Sequence, residues 1–245
     1  MMTSVYENRY EVLPLATDRF GRMLPSMMLR LSQQISGEHC TLLGVDQPYL
    51  DEKGLFWAII RNDLQITRLP AAEEKLTLRT WPLPTTRTAY PRAVIAYDEA
   101  GEEVFRVSSL WILMDRESRA MVLPGKSGVE VNGIEAEQIP LPRSLSPVTP
   151  AATEDRSVRF LDLDKNQHMN NARYLDWVYD ALPDGFHESH ALRHAALCYL
   201  NEARFGQALT LGWAFTDKNS LQLDISSPDS GRIFSAQLAF DTVVP

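Results

Sequence analysis

The sequence is poor in cysteine. Cys40 and Cys198 are its only two, in no metal-ligand spacing and without a disulfide framework. No apolar run approaches the ~18–20 residues that a membrane helix needs, so no membrane insertion is expected. The opening "MMTSVYENRYEVLPLATDRFG" carries charge where a signal peptide keeps its apolar core, which argues against secretion. Zinc motifs, phosphate-binding glycine loops and a Gly-x-Ser-x-Gly elbow are missing. Basic charge is scarce as well. With 24 Lys and Arg against 32 Asp and Glu, the net charge of −8 opposes general nucleic-acid binding, which rests on neutralising phosphates. What remains is a 245-residue chain of ordinary globular composition, 44% hydrophobic and 23% charged. The expectation is a cytoplasmic enzyme or binding protein with neither metal nor cofactor.

Proline clusters in "LPGKSGVEVNGIEAEQIPLPRSLSPVTPAAT", which reads as a connection between two halves. We expect an N-terminal unit over 1–125, a linker over 126–152 and a C-terminal unit over 153–245. Each half runs strand, helix, strands. Leu24, Met27, Met28, Leu31 and Ile35 share one helical face after Pro25, a favoured first-turn residue. Tyr174, Leu175, Val178 and Leu182 do the same in the second half. Hairpin turns are expected at Asp98–Gly101 and Pro228–Gly231. A duplicated α+β unit accounts for this order: two fused hotdog units, each a curved antiparallel sheet wrapped around a long helix.

The stretch "FLDLDKNQHMNNARYLDWVYD" crowds polar side chains ahead of the second helix. Overlaying the helices sets Arg19 opposite Asp164, Gly21 opposite Asn166 and Met23 opposite His168; overlaying the strands sets Leu69 opposite Glu202. The polar set therefore occurs once, which points to one site. If extended, the segment puts Asp164, Asn166 and His168 on one face. Asn170 or Asn171 can cap the helix, whose N-terminal amides can stabilise an oxyanion. A histidine held by an aspartate, with a neutral amide donor beside it, suits acyl-group hydrolysis. Asp and Asn are also common in loops before helices simply because they cap and turn, so the residues alone leave a cap and a catalytic loop both open. His39, His187, His190 and His194 read as surface or packing residues, and Cys198 as packed in its strand.

"DLDKNQHMNNARYLDW" closely resembles the signature of the acyl-ACP thioesterases of plant plastids and bacteria. "GLFWAIIRNDLQITRLP", "LTLRTWPLPTTRTAYPRA" and "SSLWILMDRESRAMVLP" resemble that family's first half in the same order. The resemblance implies a hydrolase that cleaves the thioester of fatty acyl-[acyl carrier protein], with a phosphopantetheine-linked chain as substrate. It implies catalytic residues in the C-terminal unit, carried over as Asp164, Asn166, His168 and Glu202, and an acyl pocket in the N-terminal unit. Met27, Met28, Leu31, Trp57 and Ile59 are the candidates to surround the chain. Where plant members have a cysteine after the glutamate, this chain has Ala203, so a cysteine nucleophile is not available there. Glu202 or Asp164 is then expected to activate water. Arg159, Arg173, Arg193 and Arg204 are candidates for carrier docking. An acyl-CoA thioesterase, a non-catalytic acyl-binding module and a hydratase are the alternatives. Fusion pairs the hotdog sheets within one chain, so a monomer or a homodimer is expected.

Overall fold

The computed structural model describes residues 5–134, 136–137 and 139–243. They divide into two units, Met1–Pro142 and Arg143–Pro245. The first contains β1 (Tyr6–Glu11), α1 (Pro25–Leu42), α2 (Gln47–Glu52), β2 (Leu55–Ile66), β3 (Lys75–Pro82), β4 (Tyr90–Tyr97), β5 (Glu103–Asp115), β6 (Met121–Val122) and α3 (Pro124–Ser127). Its strands lie in the order β1-β3-β4-β5-β2, all antiparallel, with β6 alongside β5. The central strand β4, "YPRAVIAY", is buried along nearly its whole length, as its apolar run requires. Asp98 and Gly101 close the β4–β5 hairpin, with the Gly101 N–H donating to the Asp98 carbonyl at 3.0 Å.

The buried face of α1 differs from the stripe read in the sequence. It comprises Pro25, Ser26, Met28, Leu29, Ser32, Ile35, Ser36 and His39, while Met27 and Leu31 are half-buried beside it. The serines tolerate burial because their hydroxyls donate back along the helix, Ser32 to the Met28 carbonyl at 2.8 Å and Ser36 to the Ser32 carbonyl at 2.6 Å. Fully burying a side chain such as Leu29 or Ile35 contributes about 1.5–3 kcal/mol.

The second unit contains β7 (Ala152–Ser157), α4 (Asn171–Asp180), α5 (Phe186–Ser189), β8 (His190–Tyr199), β9 (Ala208–Asp217), β10 (Ser220–Ser227) and β11 (Gly231–Thr242). Its antiparallel order, β7-β9-β10-β11-β8, repeats that of the first unit strand for strand. On β10 every second residue is buried, the period-2 pattern of a strand with one face inward. Helix α4 buries Ala172, Tyr174, Leu175, Trp177 and Val178, and the Tyr174 ring stacks on Phe234 with centroids 4.8 Å apart.

The proline-rich connection is hydrogen-bonded to the units at both ends. Ile134 N–H donates to the Pro82 carbonyl at 2.9 Å, and the Ser108 hydroxyl to the Pro140 carbonyl at 2.7 Å. Further along, Val148 N–H donates to the Asp224 carboxylate at 2.9 Å. Gly133 runs so close to Leu83 that a Cβ would sit 2.1 Å from its carbonyl oxygen, so only glycine fits. No helix among the described residues is long and apolar enough to cross a membrane.

Candidate active site

The chain enters the candidate site through a 3-10 turn, Phe160–Asp162, whose last residue anchors both the loop that follows and the helix after it. Asp162 is buried, 4% exposed. Its carboxylate accepts from the Arg159 N–H at 2.8 Å, from Arg173 Nε at 3.3 Å and Nη2 at 3.2 Å, and from Trp177 Nε1 at 3.2 Å. Its carbonyl accepts from the Asn170 N–H at 2.8 Å. One aspartate thus ties the start of the loop to the first two turns of α4. Asn170 then caps the helix, its side chain accepting from the Ala172 N–H at 3.0 Å.

Between these anchors the chain turns rather than extending. Asp164 N–H donates to the His168 carbonyl at 2.8 Å, and Gln167 N–H to the Asp164 carbonyl at 3.0 Å. Gln167 takes a left-handed φ of 65°. The Asp164 carboxylate accepts from the Asn166 N–H at 2.7 Å and the His168 N–H at 3.4 Å, so this side chain is occupied in holding the turn. The extended reading fails because Asp164 is turned back onto its own backbone.

Met169 N–H donates to the Ala203 carbonyl at 2.8 Å, and His168 forms an isolated bridge with Arg204. Residues 202–204 are thereby laid beside the turn, and His168 Nε2 comes 3.1 Å from Glu202 Oε2. The imidazole is 17% exposed and the carboxylate 40%, an arrangement open to solvent on the carboxylate side. Asn166 stands exposed at the tip. The Tyr174 hydroxyl lies beneath; burial pushes its pKa well up, a hydrogen bond to the Ala203 backbone opposes this, and the charge of Asp164 adds to it. Of the four residues expected to act together, the structure pairs His168 with Glu202 and Asp164 with the turn's backbone.

The turn ahead of α1 has the same hydrogen bonds, and they correct the overlay. Asp18 N–H donates to the Arg22 carbonyl, Gly21 N–H to the Asp18 carbonyl, and Met23 N–H to the Pro70 carbonyl. Asp18, Phe20 and Arg22 therefore correspond to Asp164, Asn166 and His168, one residue removed from the helix overlay read in the sequence. The strand overlay holds, since Pro70 matches Ala203 and so Leu69 matches Glu202.

A cavity of about 320 Å³ opens in the first unit, with Trp57, Tyr90, Arg92 and Trp111 in its wall. Among the expected pocket residues only Trp57 lines it. Ile59 lines a much smaller neighbouring space of about 10 Å³, while Met27, Met28 and Leu31 line neither. Among the described residues no group of three or more His, Cys, Asp or Glu is placed to hold a metal ion.

Residues 3–123 match the acyl-ACP thioesterase N-terminal domain and residues 146–233 the C-terminal domain. The chain belongs to the acyl-ACP thioesterase family. It is 27% identical over 200 residues to an oleoyl-acyl carrier protein thioesterase of Coriandrum sativum, covering 71% of this chain and 53% of the relative. With a dodecanoyl-[acyl-carrier-protein] hydrolase of Cinnamomum camphora it shares 25% over 170 residues, 65% of this chain and 44% of the relative. The chain thus spans about half the length of these curated relatives. An acyl-ACP thioesterase of Bacteroides thetaiotaomicron superposes with a TM-score of 0.87 at 21% identity, covering 97% of this chain and 98% of that one. The 12:0-ACP thioesterase of Umbellularia californica gives 0.83 at 18% identity, with 99% of both chains covered. At these identities the superpositions establish the fold, two fused hotdog units.

The sequence singles out neither Asp162 nor Tyr174 as a site residue, and Arg173 only as a candidate for carrier docking. The one signal for Asp162 was its place in the Asp-Leu-Asp run, where nothing distinguishes a buried anchor from a turn residue.

Proposed function

We propose that this protein hydrolyses the thioester of fatty acyl-[acyl carrier protein], releasing free fatty acid, as a cytoplasmic monomer or homodimer. The observation that carries the reading is the 3.1 Å contact between His168 Nε2 and Glu202 Oε2, beside a turn that Asp164 holds rigid.

Glu202, the more exposed partner, takes a proton from water as the water oxygen bonds to the thioester carbon. The carbonyl electron pair moves onto oxygen, which the Asn166 amide holds. The first-turn N–H groups of Ala172 and Arg173 are already occupied by Asn170, so Asn166 is the main donor. Collapse of the intermediate breaks the carbon–sulfur bond, and the proton passes through His168 to the departing thiolate. Asp164 acts through the turn rather than as a base. Ala203 is fully buried and supplies only backbone groups, so the scheme has no covalent intermediate at that position.

For carrier docking, two of the four candidate arginines are already committed. Arg173 pairs with Asp162 and Asp176, and Arg193 with Asp241 at 3.2 Å. The side chains of Arg159 and Arg204 have no carboxylate partner among the described residues, and the exposed Phe160, Leu161 and Phe205 adjoin them in sequence. An acidic carrier fits that combination, and its docking should weaken with salt.

The test is release of carrier thiol and free acid from a ladder of acyl-ACPs, run beside the matching acyl-CoAs. Preference for the carrier protein is the expected result. Equal or better CoA turnover would make the protein an acyl-CoA thioesterase. Tight binding without hydrolysis would make it an acyl-binding module, and hydrated product a hydratase.

A further inference from the structure

The cavity of the first unit has an unusual wall for a site that takes hydrocarbon. Trp57, Trp111 and Tyr90 give it apolar faces, yet Arg92 lines it as well. Arg92 sits in the middle of the sheet on β4 and is only 5% exposed. Its Nη1 meets His39 Nδ1 at 3.0 Å and the Thr80 hydroxyl at 3.1 Å, while Nη2 rests 3.6 Å from the thiol of Cys40, itself a lining residue. Among the described residues the guanidinium meets no carboxylate. Burial pulls its pKa below the ordinary arginine value, with Cys40 offsetting part of that.

A cation held away from water is costly unless an acceptor compensates it. Its three contacts are neutral, and thiol sulfur is a weak acceptor. Guanidinium has five N–H donors, so hydrogen-bonding capacity is left over. The one carboxylate in the cavity wall, Asp46, accepts from the Tyr49 N–H as the cap of α2. At about 320 Å³ the cavity has room for roughly ten water-sized groups, each about 30 Å³. The wall thus suits a ligand with an apolar body and an oxygen acceptor at the end that meets Arg92.

We propose that the cavity takes acyl chains whose far end carries a hydrogen-bond-accepting oxygen, hydroxyl or carboxyl, with Arg92 as the specificity-determining residue. That the ligand is an acyl chain rests on the thioesterase reading above; that its end is oxygenated rests on Arg92 and its neutral surroundings. Trp57 and Trp111 contact the methylenes, and Arg92 turns from an uncompensated cation into a charge-assisted donor when the chain end arrives. A plain methyl terminus would leave it uncompensated.

The test uses the full chain and pantetheine amides, in which NH replaces the thioester sulfur so that nothing is hydrolysed. Decanoyl, ω-hydroxydecanoyl and ω-carboxynonanoyl amides are compared by calorimetry. The expected result is at least about tenfold tighter binding of one or both oxygenated analogues than of the plain chain, as a hydrogen bond to a charged group provides. Arg92→Met should abolish that preference and Arg92→Lys keep part of it. If Arg92→Met does not fold, the wild-type comparison decides alone. Equal or tighter binding of the plain chain overturns the proposal, as does a preference that survives in folded Arg92→Met. Selective binding without hydrolysis of any acyl-ACP would leave the cavity assignment standing and remove the thioesterase reading. Hydrolysis with no selectivity among the amides would do the reverse.

Discussion

In the first unit Asp18 N–H donates to the Arg22 carbonyl at 2.8 Å and Gly21 N–H to the Asp18 carbonyl at 2.9 Å. In the second, Asp164 N–H donates to the His168 carbonyl at 2.8 Å and Gln167 N–H to the Asp164 carbonyl at 3.0 Å. The backbone solution is the same; the side chains are not. Arg22 turns back to pair with Asp18 at 2.9 Å, and the residue opposite is Leu69. His168 instead reaches outward to Glu202 at 3.1 Å. An aspartate that holds its own turn is therefore a feature of the scaffold, present in both copies. The proposed acid–base pair is the addition, and it needs both His168 and Glu202.

The comparison is broken most directly by exchanging side chains at matched positions. Glu202→Gln and His168→Ala should each lose about a hundredfold or more in kcat on acyl-ACP, the usual scale for removing an acid–base partner, with an unchanged unfolding midpoint. Arg22→Ala, the matched change in the first turn, should leave kcat within about twofold. A comparable loss in Arg22→Ala would mean that both turns serve the chemistry.

Asp162→Ala tests whether the second turn needs an anchor that the first lacks, since the matching residue there is Ala16. Stranding Arg173 and Trp177 Nε1 should cost about 1.5–3 kcal/mol, read as a lower denaturation midpoint. Stability equal to wild type would remove Asp162 from that role.

A smaller effect sharpens the turns themselves. Gly21 and Gln167 occupy the same left-handed position, at φ 75° and 65°. Gly21→Gln should destabilise by about 1 kcal/mol and Gln167→Gly should be neutral or mildly stabilising, both from chemical denaturation. Opposite signs would mean that the Gln167 side chain makes up for its strained backbone.

The smallest expected effect concerns how each long helix is tied to its first strand. Glu38 on α1 accepts from Tyr10 at 2.7 Å, Asn8 at 3.0 Å and Tyr6 at 3.2 Å. Burial pushes its pKa up, but hydrogen bonds from Asn8, Tyr10, Gln34 and Tyr6 outweigh this and leave it below the usual value. A depressed carboxylate stabilises the fold above its unfolded pKa, about 4.3 for glutamate, and loses that contribution as pH falls through the folded value. Glu38→Gln should flatten the acid side of the stability–pH curve. In the second unit the tie is an Arg156–Asp180 pair at 3.5 Å whose carboxylate is well exposed, and Asp180→Asn should change little.

Much of this architecture is legible in the sequence. Alternating strands, two glycine-closed hairpins and one helix per half are enough to indicate a duplicated antiparallel unit. The helix overlay comes out one residue wrong for a physical reason. Ser32 and Ser36 stand on the buried face of α1 where the second unit has Val178 on α4 and Leu182 two residues past its end, so the apolar pattern does not repeat there to fix the register. Their hydroxyls are satisfied within the helix, a compensation that hydropathy does not reveal. Glu202 lies 34 residues from His168, and only the strand overlay and the family resemblance point to it. Arg92 draws no notice, because an arginine in a strand reads as a surface residue until its burial among His39, Thr80 and Cys40 is seen.

The most direct test of the central claim is a double-variant cycle on His168 and Glu202, reading kcat on the fastest acyl-ACP with folding checked for each protein. If the two act as one acid–base unit, His168→Ala with Glu202→Gln should be no slower than the worse single variant. Losses that multiply would mean independent roles, and full turnover in either folded single variant would contradict the assignment.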